Sequence, residues 1–341
     1  MSTELNPSAL SHYTQLQPDI ILDAIESLGL YPRASLLALN SYENRVYQVA
    51  MEEGSPLVVK FYRPERWSDE QILEEHGFCF ELQDLEIPVV VPMQFNGTSL
   101  HNFMGYRFAL FESRGGRNLE VENNEHLTLM GRLLARIHLV GESRLFKLRP
   151  NVNVDTYGWE SLKTVLSSGY IPHGLELPYQ TIAKQLCMAC ERIFNEVGEL
   201  DLLRLHADCH PANVMWTDCN AHFVDFDDAR NGPAIQDLWM MVTGEGEQLT
   251  KAFDALMDGY QDFRDFDRRE VRLIEPFRAL RMLHYTSWLC QRWVDPSFKH
   301  NFPWFITQQY WEEQILILKE QLFLIDNPPL KYLSVNWGNS W

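Results

Sequence analysis

Hydrophobic positions along the first third of the chain change rhythm several times, and the changes outline a small α+β unit. A first helix is predicted around Pro18 to Gly29, and residues Ser35 to Tyr62 then read as three strands, SLLAL, VYQVAM and PLVVKFY. The last two are rich in β-branched and aromatic residues, with Glu52, Glu53, Gly54 and Ser55 between them as a hairpin turn. The three make an antiparallel meander. A helix is predicted from Ser68, where Ser68 and Gln71 form a capping-box pattern, toward Leu85. Ile72, Phe78, Cys79, Leu82 and Leu85 share one face of it, and Glu75 lies among them. A carboxylate on an apolar stripe needs a partner, because an unpaired buried charge is costly. Two further strands are expected near Val89 to Met93 and Tyr106 to Glu112.

Beyond the glycines of SRGGRN, Ser113 to Asn118, the pattern becomes helical. Leu127, Met130, Leu134 and Ile137 recur at helical spacing, as do apolar residues of TIAKQLCMACERIF and FRALRMLHYTSWLCQRW. The expected division is therefore a strand-rich first lobe over residues 1–112 and a helix-rich second lobe over 113–341. A chain of 341 residues, 45% hydrophobic with 10 tryptophans, is long enough for two cores.

Composition narrows the partners. A formal charge of -18 argues against a nucleic-acid phosphate backbone, which selects for basic surfaces. The N-terminus has neither a basic start nor an apolar run, and no segment reaches the roughly 18 apolar residues that span a bilayer. A cytoplasmic monomer with no membrane partner is expected, and its six cysteines read as free thiols. Cys187 and Cys190 form a CxxC, but they lie on a helical pattern with no second pair and read as core residues. His206, Cys209, His210, Cys219 and His222 fit no zinc spacing.

The densest chemistry is RLHADCHPANVMWTDCNAHFVDFDDARNG, Arg204 to Gly232. Phosphoryl transfer needs one carboxylate to orient the attacking hydroxyl, and an amide oxygen and a second carboxylate to hold magnesium. Asp208, Asn213 and Asp225 supply these in order, with Asp225 expected on a strand, Phe223 to Phe226. A solvated acidic turn is the bland alternative. Lys60 stands among Val58, Val59 and Phe61, so its ammonium should be directed to an anion, with Glu75 or the adjacent Glu74 as its carboxylate. Asp227 and Asp228 either join the metal site or cap a turn, whereas Asp237 is expected to hold the catalytic loop by hydrogen bonds and His206 to pack as scaffold. Arg281, Tyr285, Trp288 and Arg292 share a helical face that reads as an amphipathic helix packing its aromatics and solvating its arginines, in preference to an acceptor-binding wall.

HADCHPAN followed by VDFDDARNGPAIQDLW resembles the paired signatures of the aminoglycoside phosphotransferase and choline kinase-like group, a branch of the protein-kinase-like fold. LNSYENRVYQV, VVKFYRPERW, ILEEHGF and MGRLLARIH extend the likeness over most of the chain, and the combined strings are most similar to bacterial serine/threonine protein kinases of the stress response. The resemblance implies an α+β, two-lobed fold with a small antiparallel N-lobe sheet and a larger, mostly helical C-lobe. It also implies ATP as co-substrate, magnesium on Asn213 and Asp225, Asp208 as base, Lys60 on the nucleotide phosphates, paired with Glu75, and Ser41 beside the ATP. The acceptor would be a protein serine or threonine. A small hydroxylated molecule such as an aminoglycoside, choline or a homoserine-like compound is the alternative acceptor, and a non-catalytic nucleotide-binding scaffold the second alternative. Two departures stand out: Ala207 replaces the arginine of the HRD motif and Asp227 the glycine of DFG.

Overall fold

The computed structural model describes Tyr13 and residues 15–217, 221–242 and 246–326. Its contacts gather the chain into two compact units, Met1–Asn118 with Ala212–Asp227, and Leu119–Pro211 with Asp228–Trp341. The return of Ala212–Asp227 to the first unit leaves no trace in local composition.

In the first unit, helix α1 (Pro18–Glu26) opens with proline at its first position, where the missing N–H costs nothing. Strands β1 (Pro32–Ala38), β2 (Arg45–Met51), β3 (Leu57–Phe61), β4 (His101–Phe103) and β5 (Tyr106–Glu112) form an antiparallel sheet in the order β1-β2-β3-β5-β4. The expected meander is its first three strands. Alternation along β3 decides what each face holds. Val59 and Phe61 pack into a core with Tyr13, Ile21, Ala24, Ile25, Phe108 and Leu110. Lys60 therefore projects to the opposite face, where Tyr62, Trp67, Ile72 and Ala109 cluster.

Helix α2 (Asp69–Asp84) has the predicted capping box, with Ser68 and Gln71 each accepting the other's backbone N–H. It buries Ile72, Glu75, Phe78, Cys79 and Leu82, while Leu85 is exposed at the C-cap. The stretch 89–93 is not the strand its apolar residues predict. Pro88 and Pro92 remove two N–H donors, and only isolated bridges remain, Val89 to Phe223 and Pro92 to Phe111. A second small sheet joins β6 (Arg117–Asn118), β8 (Val214–Trp216) and β9 (Ala221–Phe223).

The second unit is mostly helical. Among the described residues it contains α3 (Asn124–Glu142), α4 (Glu160–Ser167), α5 (Glu176–Val197), α6 (Ile235–Met240), α7 (Gly246–Tyr260), α8 (Ile274–Arg292), α9 (Pro296–Asn301) and α10 (Gln308–Leu324). Strands β7 (Leu203–Leu205) and β10 (Arg230–Gly232) pair antiparallel. A π-helical turn, Asp155–Trp159, runs into α4. Cys187 and Cys190 are fully buried on α5, and burial pushes the Cys187 thiol up to about 12. Both are packed neutral thiols. Cys219 lies outside the described residues.

Helices α3 and α7 approach backbone to backbone. A Cβ on Gly131 would sit 1.9 Å from the Leu256 carbonyl oxygen, and one on Gly259 would sit 1.8 Å from that of Thr128. Glycine alone permits this crossing, and the same helices carry His138 and Tyr260 toward the loop that holds Asp208. Gly131→Ala is expected to lower unfolding free energy by about 1–3 kcal/mol, the usual cost of overpacking. Chemical denaturation would show the midpoint falling, and a midpoint unchanged from wild type would contradict the close approach.

Candidate active site

The first unit assembles the phosphate-facing candidates around the β8–β9 hairpin. Val214 pairs with Phe223, and the Val224 N–H donates to the Asn213 carbonyl at 3.0 Å. Asn213 and Asp225 therefore flank the same end of one hairpin. Asp225 does not lie on a strand as predicted, because β9 ends at Phe223 and Asp225 adopts a left-handed φ of 61°. Such a φ is unusual for a residue with a Cβ, and it marks a position where side-chain direction is being set.

Lys60 meets this turn from β3. Its Nζ lies 2.7 Å from Asp225 Oδ1 and 3.3 Å from Asp227 Oδ1. Burial alone would lower the Lys60 pKa, but the two carboxylates reverse this and raise it well above the ordinary value. Lys60 is a fixed cation. Glu75 adds to the negative field at Lys60, while its own carboxylate accepts from the Cys79 thiol at 3.3 Å and lies 3.7 Å from His76 Nε2.

Asp227 is a brace. Only 3% exposed, it accepts from Asn44 Nδ2 at 3.1 Å and from Arg66 Nη1, besides its contact with Lys60. Asn44 in turn accepts the Arg63 N–H at 3.0 Å, and Arg63 Nε donates to the Glu43 carbonyl at 2.8 Å. The glycine-free loop between β1 and β2, which carries Ser41 half-buried, is thus pinned through side chains. Sequence reasoning missed Asn44 and Arg66. Asn44 falls within LNSYENRVYQV and Arg66 within VVKFYRPERW, but nothing near either residue points to Asp227 as its partner.

The donor set suits magnesium. An Asn213 amide oxygen and an Asp225 carboxylate are hard ligands, and Mg²⁺ is ordinarily held by one or two carboxylates plus phosphate oxygens. Asp225 keeps its side chain 52% exposed while giving one oxygen to Lys60. Among the described residues no cluster of three or more histidine, cysteine or acidic side chains forms a self-sufficient cage.

The second unit carries Asp208 on a loop held from below. Asp237, fully buried at the start of α6, accepts the His206 N–H at 2.9 Å and the Ala207 N–H at 2.8 Å. Gln236 Nε2 donates to the Ala207 carbonyl at 3.0 Å. These bonds hold Ala207 at a left-handed φ of 65°. The loop-holding role expected of Asp237 is thereby seen in the geometry. His138 lies 3.3 Å from Asp237 through Nε2 and 2.9 Å from the Tyr260 hydroxyl through Nδ1. Burial lowers the His138 pKa despite Asp237, so the ring is neutral, and the bonding pattern assigns the proton to Nε2. Arg264 Nη1 donates to Tyr260 at 3.0 Å and closes the chain.

Asp208 itself is about a quarter exposed. Arg281 Nη1 lies 2.8 Å from Oδ1 and His210 Nε2 3.4 Å from Oδ2. Burial pushes the carboxyl up, but the His210 hydrogen bond and the Arg281 charge outweigh it, and the pKa sits well below the usual carboxylate range. On the same helical face as Arg281, Trp288 packs on Phe298 and Phe302, and Arg292 is buried. The packing reading holds for Trp288, whereas Arg292 is buried instead of solvated and Arg281 turns to Asp208.

Glu270 caps α6, accepting the Ile235 N–H at 2.8 Å, and burial raises its pKa from 4.5 to about 8. The folded state thus keeps a proton that the unfolded chain loses above pH about 4.5. Stability from this group is full below that pH and declines as pH rises toward 8. Glu270→Gln, which keeps an accepting oxygen, should flatten the pH 5–8 slope by up to about 1.4 kcal/mol per pH unit. Denaturation at stepped pH would check this; identical slopes for both proteins would contradict it.

Comparison with known proteins adds to this geometry. The model of the phosphotransferase enzyme family matches residues 35–274. Stress response kinase A of Shigella flexneri is 43% identical over 327 residues, covering 96% of this chain and 98% of its own. A serine/threonine protein kinase of Salmonella typhimurium is 41% identical with the same coverage. Among solved structures, amicoumacin kinase in complex with AMP-PNP, Ca²⁺ and amicoumacin has a TM-score of 0.71 at 19% identity, covering 95% of this chain and 98% of that one. The fold is the α+β protein-kinase-like fold expected from the sequence.

Proposed function

Because the chain belongs to the phosphotransferase enzyme family, we propose that it transfers the γ-phosphoryl group of ATP to a serine or threonine hydroxyl of a protein. The observation that carries the reading is the 2.7 Å contact between Lys60 and Asp225, which brings a strand lysine to the motif aspartate from 165 residues away. Lys60 is the cation for nucleotide phosphates, and Ser41 supplies a hydroxyl from the β1–β2 loop. Glu75 tunes the field at Lys60. Asn213 and Asp225 are the oxygen ligands for magnesium, which when bound neutralises charge that grows on the transferring group. Asp208 orients the acceptor hydroxyl and takes its proton. Asp225 serves catalysis by placing charge rather than by proton transfer.

The protein acceptor is favoured by relatives named as serine/threonine and stress response kinases, each similar over nearly the whole chain. The reading places the protein in the cytoplasm, as a monomer that serves a stress response; no described helix is long and apolar enough to cross a membrane. A small-molecule hydroxyl acceptor is the second reading, favoured by the structural neighbours amicoumacin kinase and a microcompartment-associated aminopropanol kinase.

Purified protein with magnesium and labelled ATP should label a polypeptide, whether itself or an added generic protein. Asp208→Asn should retain ATP binding and lose about 10²–10⁴-fold in kcat, the usual contribution of a positioned base. Asp225→Asn should raise the magnesium concentration needed for half-maximal activity as well. Turnover of a small alcohol with no labelled polypeptide would establish the second reading, and full activity in Asp208→Asn would remove Asp208 from the mechanism.

A further inference from the structure

Both oxygens of the candidate base are engaged within its own unit. Oδ1 meets Arg281 Nη1 at 2.8 Å and Oδ2 meets His210 Nε2 at 3.4 Å. A carboxylate held this way is a weak proton acceptor, because a general base works best with a pKa near the working pH. Something must loosen the pair during transfer. His210 is tied by sequence to the loop, its N–H donating to the Asp208 carbonyl at 2.9 Å. Arg281 is the movable partner. It reaches in from α8 on a long side chain that stays 41% exposed, and its other contact is the Met240 sulfur at 3.8 Å.

The surroundings favour recognition at this spot. Tyr157, on the π-helical turn, stacks on His284 with ring centroids 4.1 Å apart and planes 4° from parallel. Arg230 lies over the Tyr157 ring at 5.1 Å, and Asp228 and Arg230 are 3.6 Å apart. The Tyr157 hydroxyl senses the charges of Arg230, Asp228, Asp208 and Arg281 together. Arg278, one turn before Arg281, is 3.4 Å from Glu275, and Arg292 is buried. The half-exposed fork of Arg281 is thus the cation of α8 best placed to exchange a carboxylate partner beside Asp208.

We propose that Arg281 is a specificity-determining residue that selects an acceptor carrying an anionic group beside the reacting hydroxyl, and that this anion draws the guanidinium off Asp208. The inference rests on the phosphotransferase reading given above. In a polypeptide the preferred acceptor is a serine or threonine beside aspartate or glutamate. A planar guanidinium matches a carboxylate bidentately, which replaces the bond surrendered at Asp208. Oδ1 then receives the hydroxyl proton as the acceptor oxygen bonds to the γ-phosphorus, and the bond from that phosphorus to the β–γ bridging oxygen breaks to leave ADP. The chain's charge of -18 attracts basic peptides at long range, so an acidic preference would be a contact effect at this residue.

The test compares kcat/KM for peptides that differ only in having glutamate, glutamine or lysine beside one serine, together with 3-hydroxybutyrate and 3-hydroxybutyramide as small-molecule counterparts. Wild type should favour glutamate over glutamine, or acid over amide, by tenfold or more. In Arg281→Gln that ratio should fall to about one, and Arg281→Lys, which keeps the charge without the fork, should lie between. The ratio is insensitive to how much of a variant folds. Preference in the peptide series points to a protein acceptor, and preference in the hydroxy acid series alone to a small one; either supports the role of Arg281. A wild-type ratio near one, a preference for lysine, or an unchanged ratio in Arg281→Gln would overturn it while leaving phosphotransfer intact. Transfer to no hydroxyl in either series would overturn it together with the phosphotransferase reading.

Discussion

The second unit depends on a single buried carboxylate. Asp237 takes two successive backbone N–H groups, of His206 and Ala207, and so fixes the one turn that aims Asp208. Ala207 pays for its left-handed backbone, about 1–2 kcal/mol for an L-residue, and glycine would be the ordinary choice. Two buried bonds to a charged acceptor contribute about 1.5–3 kcal/mol each and exceed that strain. The conformation is therefore imposed by its surroundings. His138 and Tyr260 then orient the second face of Asp237, and their helices reach it through the glycine crossing of α3 and α7.

The first unit meets a similar problem with charge in place of strain. A buried ammonium is unfavourable alone, and Lys60 is made tolerable by Asp225 and Asp227 together. The two acids divide the work. Asp227 is enclosed by Asn44, Arg66 and Lys60 and holds the β1–β2 loop, whereas Asp225 remains half exposed with capacity for a cation. An aspartate where conventional kinases have the glycine of DFG is thus explained by what it ties together.

What could be read from the sequence was local. The Ser68–Gln71 capping box and the β2–β3 hairpin involve neighbours in the chain, and the apolar neighbours of Lys60 in LVVKF are enough to predict a buried strand whose ammonium is directed to an anion. The apolar stretch 89–93 resembles a strand because its burial is legible, whereas Pro88 and Pro92 withhold N–H groups that a ladder needs. The strand predicted through Asp225 stops at Phe223, because the left-handed φ of Asp225 is a property of the backbone with no glycine to announce it. The partners of the acidic groups were out of reach for a different reason. Asn44 and Arg66 find Asp227 across 183 and 161 residues, and Arg281 finds Asp208 across 73. Nothing in a local pattern encodes such pairings, although the motif residues themselves were visible from their types and order.

The most direct measurement is amide hydrogen exchange at His206 and Ala207 in the intact protein. If Asp237 imposes the turn, both amides should exchange only with opening free energies within about 1 kcal/mol of global unfolding, as core amides do. Exchange at the rate of an exposed loop would mean that the turn opens freely, and would contradict the account of how Asp208 is held.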